Sequence, residues 1–268
     1  MSIAKPARGV DCHAHIFSMD APAVANARYR PSYAATLEQW MSHWPAAGIT
    51  HGVLVQPSFF GTDNRELLAA LARAPDRLRG VAVVDPEIAE RQLLAMDSAG
   101  IRAVRLNLQS VTDYGTFSRE PWPLLFARMA ALGWHVEAFV EAGRAVELAA
   151  ALAGTTVELV FDHFANPAPG LAADATFNAL SALSRERHVW VKLSAPYRLE
   201  GHDAALLARE WIHVLGADRV VWGSDWPWTR HEAGQDYTML RNELERWVGA
   251  ERARAILWDN PARLYRFD

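Results

Sequence analysis

The 268-residue sequence has a single cysteine, Cys12, so the chain cannot form an intrachain disulfide, and this usage is typical of a reducing compartment. The net charge of −4 leaves no basic surplus, which argues against a nucleic-acid or membrane-surface partner. The first ten residues lack the apolar core of a signal peptide, and the longest aliphatic stretch, "AVELAAALAG", is too short to cross a bilayer. We therefore expect a cytoplasmic protein with no nucleic-acid and no membrane partner.

Short apolar runs alternate with longer segments of helical periodicity along the whole chain. The predicted strands are "GVDCHAHIF", "HGVLVQPS", "LRGVAVVD", "IRAVRLNL", "HVEAFVE", "TVELVFDHF", "VWVKLSA" and "RVVWGSDW". No glycine-rich phosphate fingerprint follows the first run, which disfavours a doubly wound nucleotide-binding fold. The pattern instead predicts an α/β fold, one (β/α)8 TIM-type barrel domain over residues 1–268.

In such a barrel, strand residues alternate between the helix-packed face and the interior, and the active site lies at the C-terminal strand ends. Alternation in the first run predicts that Asp11, His13 and His15 point inward and that Cys12 packs outward. The same count predicts further inward polar side chains near strand ends, namely Gln56, Ser58, Arg105, Asn107, Glu137, Glu141, His163 and Asp225. Polar groups inside a barrel cost desolvation unless they are partnered, so their convergence predicts a site.

The first run carries a His-x-His pattern, which places His13 and His15 on one strand face about 6.6 Å apart. That spacing suits two ligands of one metal ion, or two donors to one substrate oxygen. His163 comes from the sixth run, where alternation groups it with Leu159 and Phe161. Together with Asp225 on the eighth run, these histidines form the predicted centre.

The stretches "VDCHAHIF", "FDHFANP" and "VVWGSDWPW" resemble the amidohydrolase superfamily. With "HGVLVQPSFFGTDNRELLAAL", "LRGVAVVDP", "GIRAVRLNL", "VKLSAPYR" and "DNPARLY", the chain resembles the 2-pyrone-4,6-dicarboxylate lactonase-like branch from end to end. The resemblance implies a distorted TIM barrel that hydrolyses a lactone, usually a carboxylated or sugar-derived one. The implied partner is therefore a small anionic lactone.

The resemblance also implies residue roles. Asp225 would be the general base that takes a proton from water, while His13, His15 and His163 would polarise the lactone carbonyl. Arg105 and Arg198 would hold a substrate carboxylate, to which a guanidinium can donate two parallel hydrogen bonds. Position near the predicted pocket adds further substrate-binding candidates, which are Tyr197, Ser58 and Asn107.

The dicarboxylate lactonases need no metal, so the resemblance implies that no cofactor is required. The same residue types also serve as metal ligands, and the alternative is one Zn²⁺ or Mn²⁺ ion on His13, His15 and Asp225, with His163 as a further ligand. Such a member would be a decarboxylase or an ester or amide hydrolase. A third hypothesis is a barrel that only binds an anionic small molecule.

The chain departs from the dicarboxylate lactonases after the fourth strand, where they carry a second arginine. The corresponding loop, "NLQSVTDYG", contains neither arginine nor lysine. An arginine from another loop, Arg28 or Arg30, could replace it, or Gln109, Ser110 or Tyr114 could make softer contacts. A single carboxylate or a neutral polar lactone is then an alternative to the dicarboxylate.

Two further expectations concern buried charges. We expect Glu137 to form a structural ion pair with Arg105, although an inward glutamate could also serve as a third acid or a metal ligand. Trp226 and Trp228 flank the predicted base, and by excluding water they could raise the pKa of Asp225; packing alone is the alternative interpretation.

Overall fold

The structure, a computed structural model, describes residues 8–20, 23–25, 27–168, 174–186 and 189–268. Eight parallel strands form one sheet in which each strand pairs with the next along the chain. The strands are β1 (Val10–Ala14), β2 (His51–Val55), β3 (Leu78–Ala82), β4 (Ile101–Asn107), β5 (His135–Phe139), β6 (Glu158–Phe161), β7 (Val189–Leu193) and β8 (Val220–Trp222). The predicted eight-stranded TIM-type barrel is confirmed, and each strand ends before its apolar run does because the last residues of the run turn into the following loop.

Helices alternate with the strands and pack around the sheet. In the described residues they are α1 (Leu37–Ser42), α2 (Trp44–Ala47), α3 (Arg65–Arg73), α4 (Glu90–Ser98), α5 (Trp122–Ala131), α6 (Ala145–Ala151), α7 (Asp174–Glu186), α8 (Ala204–Leu215), α9 (Tyr237–Val248), α10 (Ala250–Arg254) and α11 (Asn260–Tyr265). None of the helices in these ranges has the length and apolar character that a bilayer crossing requires. The single-domain assignment over residues 1–268 stays a prediction.

The barrel closes where the C-terminal ends of β1 and β8 meet. The backbone N–H of Asp225 donates to the carbonyl oxygen of His13 at 2.9 Å, and that of His15 donates to Trp226 O at 2.8 Å. A parallel bridge between Ala14 and Trp226 completes the contact. Because these bonds join the residues themselves, closure of the barrel fixes the His-x-His pair and Asp225 relative to each other.

A β-bulge in β1 changes which side chains point inward. The pairing of β1 with β2 shifts register between Asp11 and Ala14, so β1 holds one extra residue there. Cys12 lies in the apolar cluster inside the barrel, and the next side chain, His13, also points inward. The prediction of an outward Cys12 is therefore wrong, whereas the inward direction of both histidines is correct.

The predicted inward direction of Asp11 is also wrong, because its carboxylate lies between the barrel and the helices. Asp11 Oδ2 accepts hydrogen bonds from Trp40 Nε1 on α1 at 2.8 Å and from the Tyr237 hydroxyl on α9 at 2.8 Å. It also accepts from Ser224 Oγ after β8 at 2.6 Å, and burial raises the pKa of the carboxyl despite these donors. Asp11 thus joins two helices to the seam between β1 and β8.

The lower half of the barrel interior is apolar and closed by the end of the chain. Strand residues of this inner layer are Val10, Cys12, Val53, Val55, Val81, Ala103, Val160, Trp190 and Val221. Leu264, Tyr265 and Phe267 pack against them from below. The polar groups at the upper strand ends lie above this apolar floor.

Candidate active site

Three imidazoles surround one carboxylate oxygen at the top of the barrel. Asp225 Oδ1 lies 3.6 Å from His13 Nε2, 3.8 Å from His15 Nε2 and 3.8 Å from His163 Nε2. His13 Nε2 and His15 Nε2 are 3.3 Å apart. The structure therefore brings together all four residues of the predicted centre, and all four are buried.

Asp225 reaches the centre through an unusual backbone. Its φ of 58° lies in the left-handed region, which non-glycine residues rarely adopt and which is frequent at functional sites. Two positions earlier, a Cβ at Gly223 would lie 2.5 Å from the Cβ of His13. Only glycine allows the end of the last strand to approach the first so closely.

The second oxygen of Asp225 is held by two residues that follow β7. Asp225 Oδ2 accepts hydrogen bonds from the Tyr197 hydroxyl at 2.6 Å and from Arg198 Nε at 3.1 Å. Arg198 also donates to Thr229 O at 3.1 Å and lines the pocket, so its guanidinium connects the carboxylate with the pocket wall. Tyr197 lies behind Asp225, and burial raises the pKa of its hydroxyl.

The expectation that the flanking tryptophans raise the pKa of Asp225 is wrong. Burial does raise it, but His163 and Arg198, with the other two histidines, outweigh burial and hold the pKa well below its usual value. Trp226 is buried in the core, and Trp228 Nε1 donates to Ser224 O at 3.1 Å. These contacts agree with the alternative interpretation, in which the two tryptophans only pack. Asp225 is therefore ionised at neutral pH.

His163 enters the centre from a turn rather than from strand alternation. Leu159 and Phe161 belong to the outer core against the helices, so the predicted grouping of His163 with them is wrong. Residues 163–166 all have positive φ, and this turn swings His163 back over the barrel. Its Nδ1 lies 2.8 Å from Ser194 Oγ, which fixes the ring.

His15 has a defined proton position. Its Nδ1 lies 2.7 Å from the carbonyl oxygen of Val55, which can only accept, so Nδ1 carries a proton. Burial lowers the pKa of His15 to about 4, assisted by Arg105, so the ring is neutral at neutral pH. Neutral His15 therefore presents an unprotonated Nε2 to the centre.

Below His13 lies a fully buried charge cluster that sequence analysis missed. Lys192 Nζ lies 3.2 Å from His13 Nδ1, 3.4 Å from Asp162 Oδ1 and in direct contact with Glu137 Oε1. The expected pair of Glu137 with Arg105 is wrong, because Lys192 is the partner of Glu137. A signal was available, since alternation along β7 places Lys192 on the same inward face as Trp190.

A cavity of about 180 Å³ opens above the centre. Six of the predicted substrate-binding and catalytic residues line it together with Asp225, and these are His15, Ser58, Arg105, Asn107, His163 and Arg198. Arg105 donates to Gln56 O at 2.9 Å, and its Nη2 lies 3.8 Å from Asp162 Oδ2. Its buried Nε has no hydrogen-bond partner in the described residues, and the side chain lines the cavity.

Arginines from two distant loops supply further positive charge at the cavity mouth. Of the two expected substitutes for the missing arginine, Arg28 lines the cavity, and its Nη2 donates to Asn107 Oδ1 at 2.9 Å. Arg30 instead donates to Val24 O at 3.2 Å. Arg230, which sequence analysis did not single out, also lines the cavity, as does Gln109.

Two polar residues expected inside the barrel have other roles. The buried amide of Gln56 donates to Gly61 O at 3.3 Å and to Asp63 O at 2.7 Å, so it braces the loop after β2. Glu141 lies beyond the strand end, where Oε1 accepts from Ser110 N at 2.7 Å and Oε2 lies 3.7 Å from Arg144. Both inward expectations are therefore wrong.

Two groups of side chains among the described residues could hold a metal ion. They are His13, His163 and Asp225, and His13, Glu137 and Asp162. Ligands at about 2.0–2.1 Å from a tetrahedral Zn²⁺ lie about 3.3 Å apart, close to the 3.6–3.8 Å between Asp225 Oδ1 and the three Nε2 atoms. Neutral imidazoles and an ionised carboxylate thus fit a divalent cation at the upper group, while Lys192 already contacts all three members of the lower one.

The lowered pKa of His15 predicts a loss of stability in acid. The unfolded chain, with an ordinary histidine pKa of 6.5, binds the proton more readily than the folded chain, with a pKa of about 4. The free energy of unfolding should therefore decrease as the pH falls through this window, by about 3 kcal/mol from His15 alone. Urea unfolding of the wild type and of His15→Gln between pH 7 and pH 4 measures the contribution of His15 to the free energy of unfolding. An equal pH dependence of the two proteins would contradict this prediction.

Comparison with known proteins places this geometry in a family. A sequence model of the amidohydrolases matches residues 10–267. The 2-pyrone-4,6-dicarboxylate hydrolase of Comamonas testosteroni is 29% identical over 283 residues, covering 97% of this chain and 90% of that protein. The 4-sulfomuconolactone hydrolase of Hydrogenophaga intermedia is 29% identical over 270 residues, covering 95% and 88%.

A solved structure agrees with these relatives. It is described as a probable 2-pyrone-4,6-dicarboxylic acid hydrolase from Acinetobacter baumannii with citric acid bound, and it is 32% identical to this chain. The TM-score is 0.89 over 97% of this chain and 99% of that one. The resemblance found in the sequence is therefore confirmed, and the chain belongs to the amidohydrolase family.

Proposed function

We propose that this protein is a hydrolase that opens a small lactone carrying an anionic substituent, by attack of water on the lactone carbonyl. The observation that carries the proposal is the ionised Asp225, whose Oδ1 lies among three imidazoles at the bottom of a cavity lined by arginines. Relatives named as lactone hydrolases, aligned over nearly the full chain, support the same reaction.

Asp225 is the general base in this proposal. Tyr197 and Arg198 occupy Oδ2, so Oδ1 is the oxygen turned toward the other centre residues. A water molecule on the cavity side of Oδ1 gives up a proton to it while its oxygen bonds to the lactone carbonyl carbon. When the ring C–O bond breaks, the departing oxygen takes the proton back from Asp225.

Donors are needed where negative charge develops on the carbonyl oxygen. His13 and His163 are neutral at neutral pH because burial lowers the pKa of each ring. Neutral His15 has no proton on Nε2, so we assign polarisation of the carbonyl to His13 and His163, and orientation of His13 to His15. This divides a role that the resemblance assigned to all three histidines.

The positive cavity wall selects an anionic substrate. Arg105 combines burial with an unpartnered Nε, and Arg28 and Arg230 lie at the mouth. Charge-assisted hydrogen bonds from guanidinium groups are strong and directional toward carboxylate or sulfonate oxygens. Ser58 and Asn107 line the same wall and would contact the neutral part of the ring.

A divalent cation at the upper group would be held by His13, His163 and Asp225, with His15 alongside. When bound, such an ion supplies a positive charge next to the carbonyl oxygen. We propose that hydrolysis does not require it, in which case the imidazole donors and the Asp225 base suffice.

A lactone panel tests the proposal. It contains pyrone mono- and dicarboxylates, aldonolactones and an uncharged lactone, each assayed with and without a chelator, together with metal analysis of the same preparation. We expect hydrolysis of an anionic lactone that survives chelation. Absence of hydrolysis across the panel would contradict the lactonase proposal, and chelator-sensitive hydrolysis would instead make the enzyme metal-dependent.

A further inference from the structure

Lys192 differs from the other cationic residues of the chain. Only two of the 27 lysines and arginines are lysines, and Lys192 lies fully buried inside the barrel. A compact ammonium with three protons stands here on β7, whereas the cavity wall above it is built from arginines. It lies directly beneath the catalytic centre, where its Nζ is 3.2 Å from His13 Nδ1.

Hydrogen-bond direction along the centre can be read from its two ends. Val55 O can only accept, and it accepts from His15 Nδ1; the Lys192 ammonium can only donate, and its Nζ lies 3.2 Å from His13 Nδ1. His13 Nε2 lies 3.3 Å from His15 Nε2 in hydrogen-bonding geometry, so His13 must be the donor of that bond. Neutral His13 then carries its single ring proton on Nε2 and has a lone pair on Nδ1.

The lone pair on His13 Nδ1 needs a donor, and Lys192 Nζ is that donor at 3.2 Å. Around the ammonium group, His13 Nδ1 is within hydrogen-bonding distance, and Glu137 Oε1 and Asp162 Oδ1 are its ion-pair partners. Asp162 Oδ1 lies 3.2 Å from His13 Nδ1 and would accept a proton from it if Lys192 were not there. Lys192 therefore decides between two tautomers of His13.

We propose that Lys192 is a positioning residue that holds the proton of neutral His13 on Nε2, through the directed series Lys192 to His13 to His15 to Val55 O. In this tautomer the His13 proton is on the nitrogen that faces the centre; it is donated to His15 Nε2 in the free protein and can pass to the carbonyl oxygen of a bound lactone. The same tautomer removes the Nε2 lone pair with which His13 would bind a metal ion. Lys192 thus favours lactone polarisation by His13 over metal binding by His13.

Ring-¹⁵N histidine NMR of chelator-treated wild type tests the tautomer without any reference to activity. The His13 signals are assigned by their absence in His13→Gln. We expect a protonated Nε2 and an unprotonated Nδ1. A protonated Nδ1 with an unprotonated Nε2 in the wild type would overturn the inference, and this outcome does not depend on the folding of any Lys192 variant.

Lys192→Met keeps the length of the side chain and removes the donor. We expect the His13 proton to move to Nδ1, opposite Asp162. Tyr265→Phe is the matched control, because the Tyr265 hydroxyl contacts Glu137 Oε2 at 3.2 Å in the same cluster without touching His13. Tyr265→Phe should leave the tautomer unchanged; a folded Lys192→Met protein that keeps the wild-type tautomer would refute the inference.

The catalytic consequence rests on the proposed lactone hydrolysis. In chelator-treated Lys192→Met we expect kcat to fall about 100-fold, the effect of losing one oxyanion donor, with KM changed less than about threefold. A merely structural role for Lys192 would move stability and leave the tautomer in place. If the wild type hydrolyses no lactone but shows the Nε2 tautomer, the proposed function is wrong and the inference about Lys192 stands. If it hydrolyses a lactone but shows the Nδ1 tautomer, the proposed function stands and the inference is wrong.

Discussion

Asp225→Asn is expected to lower kcat/KM for the lactone substrate about 1,000-fold, within the range that a positioned general base contributes. Asparagine keeps the shape of the side chain and can still accept hydrogen bonds from Tyr197 and Arg198. It cannot take a proton from water, however, and its amide group cannot pair with the charge of Arg198. The loss should therefore fall mainly on kcat, measured by steady-state kinetics on the best lactone of the panel.

Asp218→Asn is the matched control for this prediction. Asp218 lies at the opposite end of the barrel, before β8, where it is exposed and close to Arg219 and Arg263. The same chemical change there should leave kcat/KM within about twofold of the wild type, since surface substitutions have small effects. Hydrolysis by Asp225→Asn within tenfold of the wild-type rate would show that another group is the base.

The succession of apolar runs and helical segments predicted the barrel. Strand alternation predicted that His13, His15 and Asp225 point inward, because a period of two assigns each strand residue to a face. The same rule failed at Asp11 and Cys12, where the bulge in β1 becomes visible only when β1 is paired with β2. It reached His163 for the wrong reason, since the left-handed turn after β6 carries that ring inward. Assigning side chains to faces by a period of two residues cannot detect a shift in strand pairing or a turn that points the next side chain to the other face.

The missed groups show what lies beyond a strand-by-strand reading. Lys192 was detectable, because a lysine within an apolar run on an inward position needs partners. Its pairing with Glu137 was not detectable, because β5 and β7 are not neighbours and only the closed barrel brings them together. The contacts of Tyr197 and Arg198 with Asp225 likewise depend on how two loops fold over the strand ends, which sequence spacing does not fix.

Arg105→Met is expected to raise KM for an anionic lactone about 100-fold, with kcat reduced less than about fivefold. A charge-assisted hydrogen bond is worth about 1.5–3 kcal/mol, and this factor corresponds to the upper part of that range. Arg105 is a buried guanidinium that lines the cavity, so its loss removes binding that the substrate and the transition state share. Initial rates over a range of lactone concentrations measure the change.

An uncharged lactone separates this binding role from a structural one. If Arg105 binds the anionic substituent, Arg105→Met should hardly change kcat/KM for the uncharged lactone, whereas a disturbed barrel would slow both substrates equally.

Arg28→Met and Arg30→Met extend the comparison to the cavity mouth. Arg28 lines the cavity and its loss should raise KM about tenfold, within the range for a charged hydrogen bond. Arg30 donates to Val24 O and does not line the cavity, so Arg30→Met should behave like the wild type. A KM that rises in Arg30→Met but not in Arg28→Met would show that Arg30, not Arg28, binds the substrate anion at the cavity mouth.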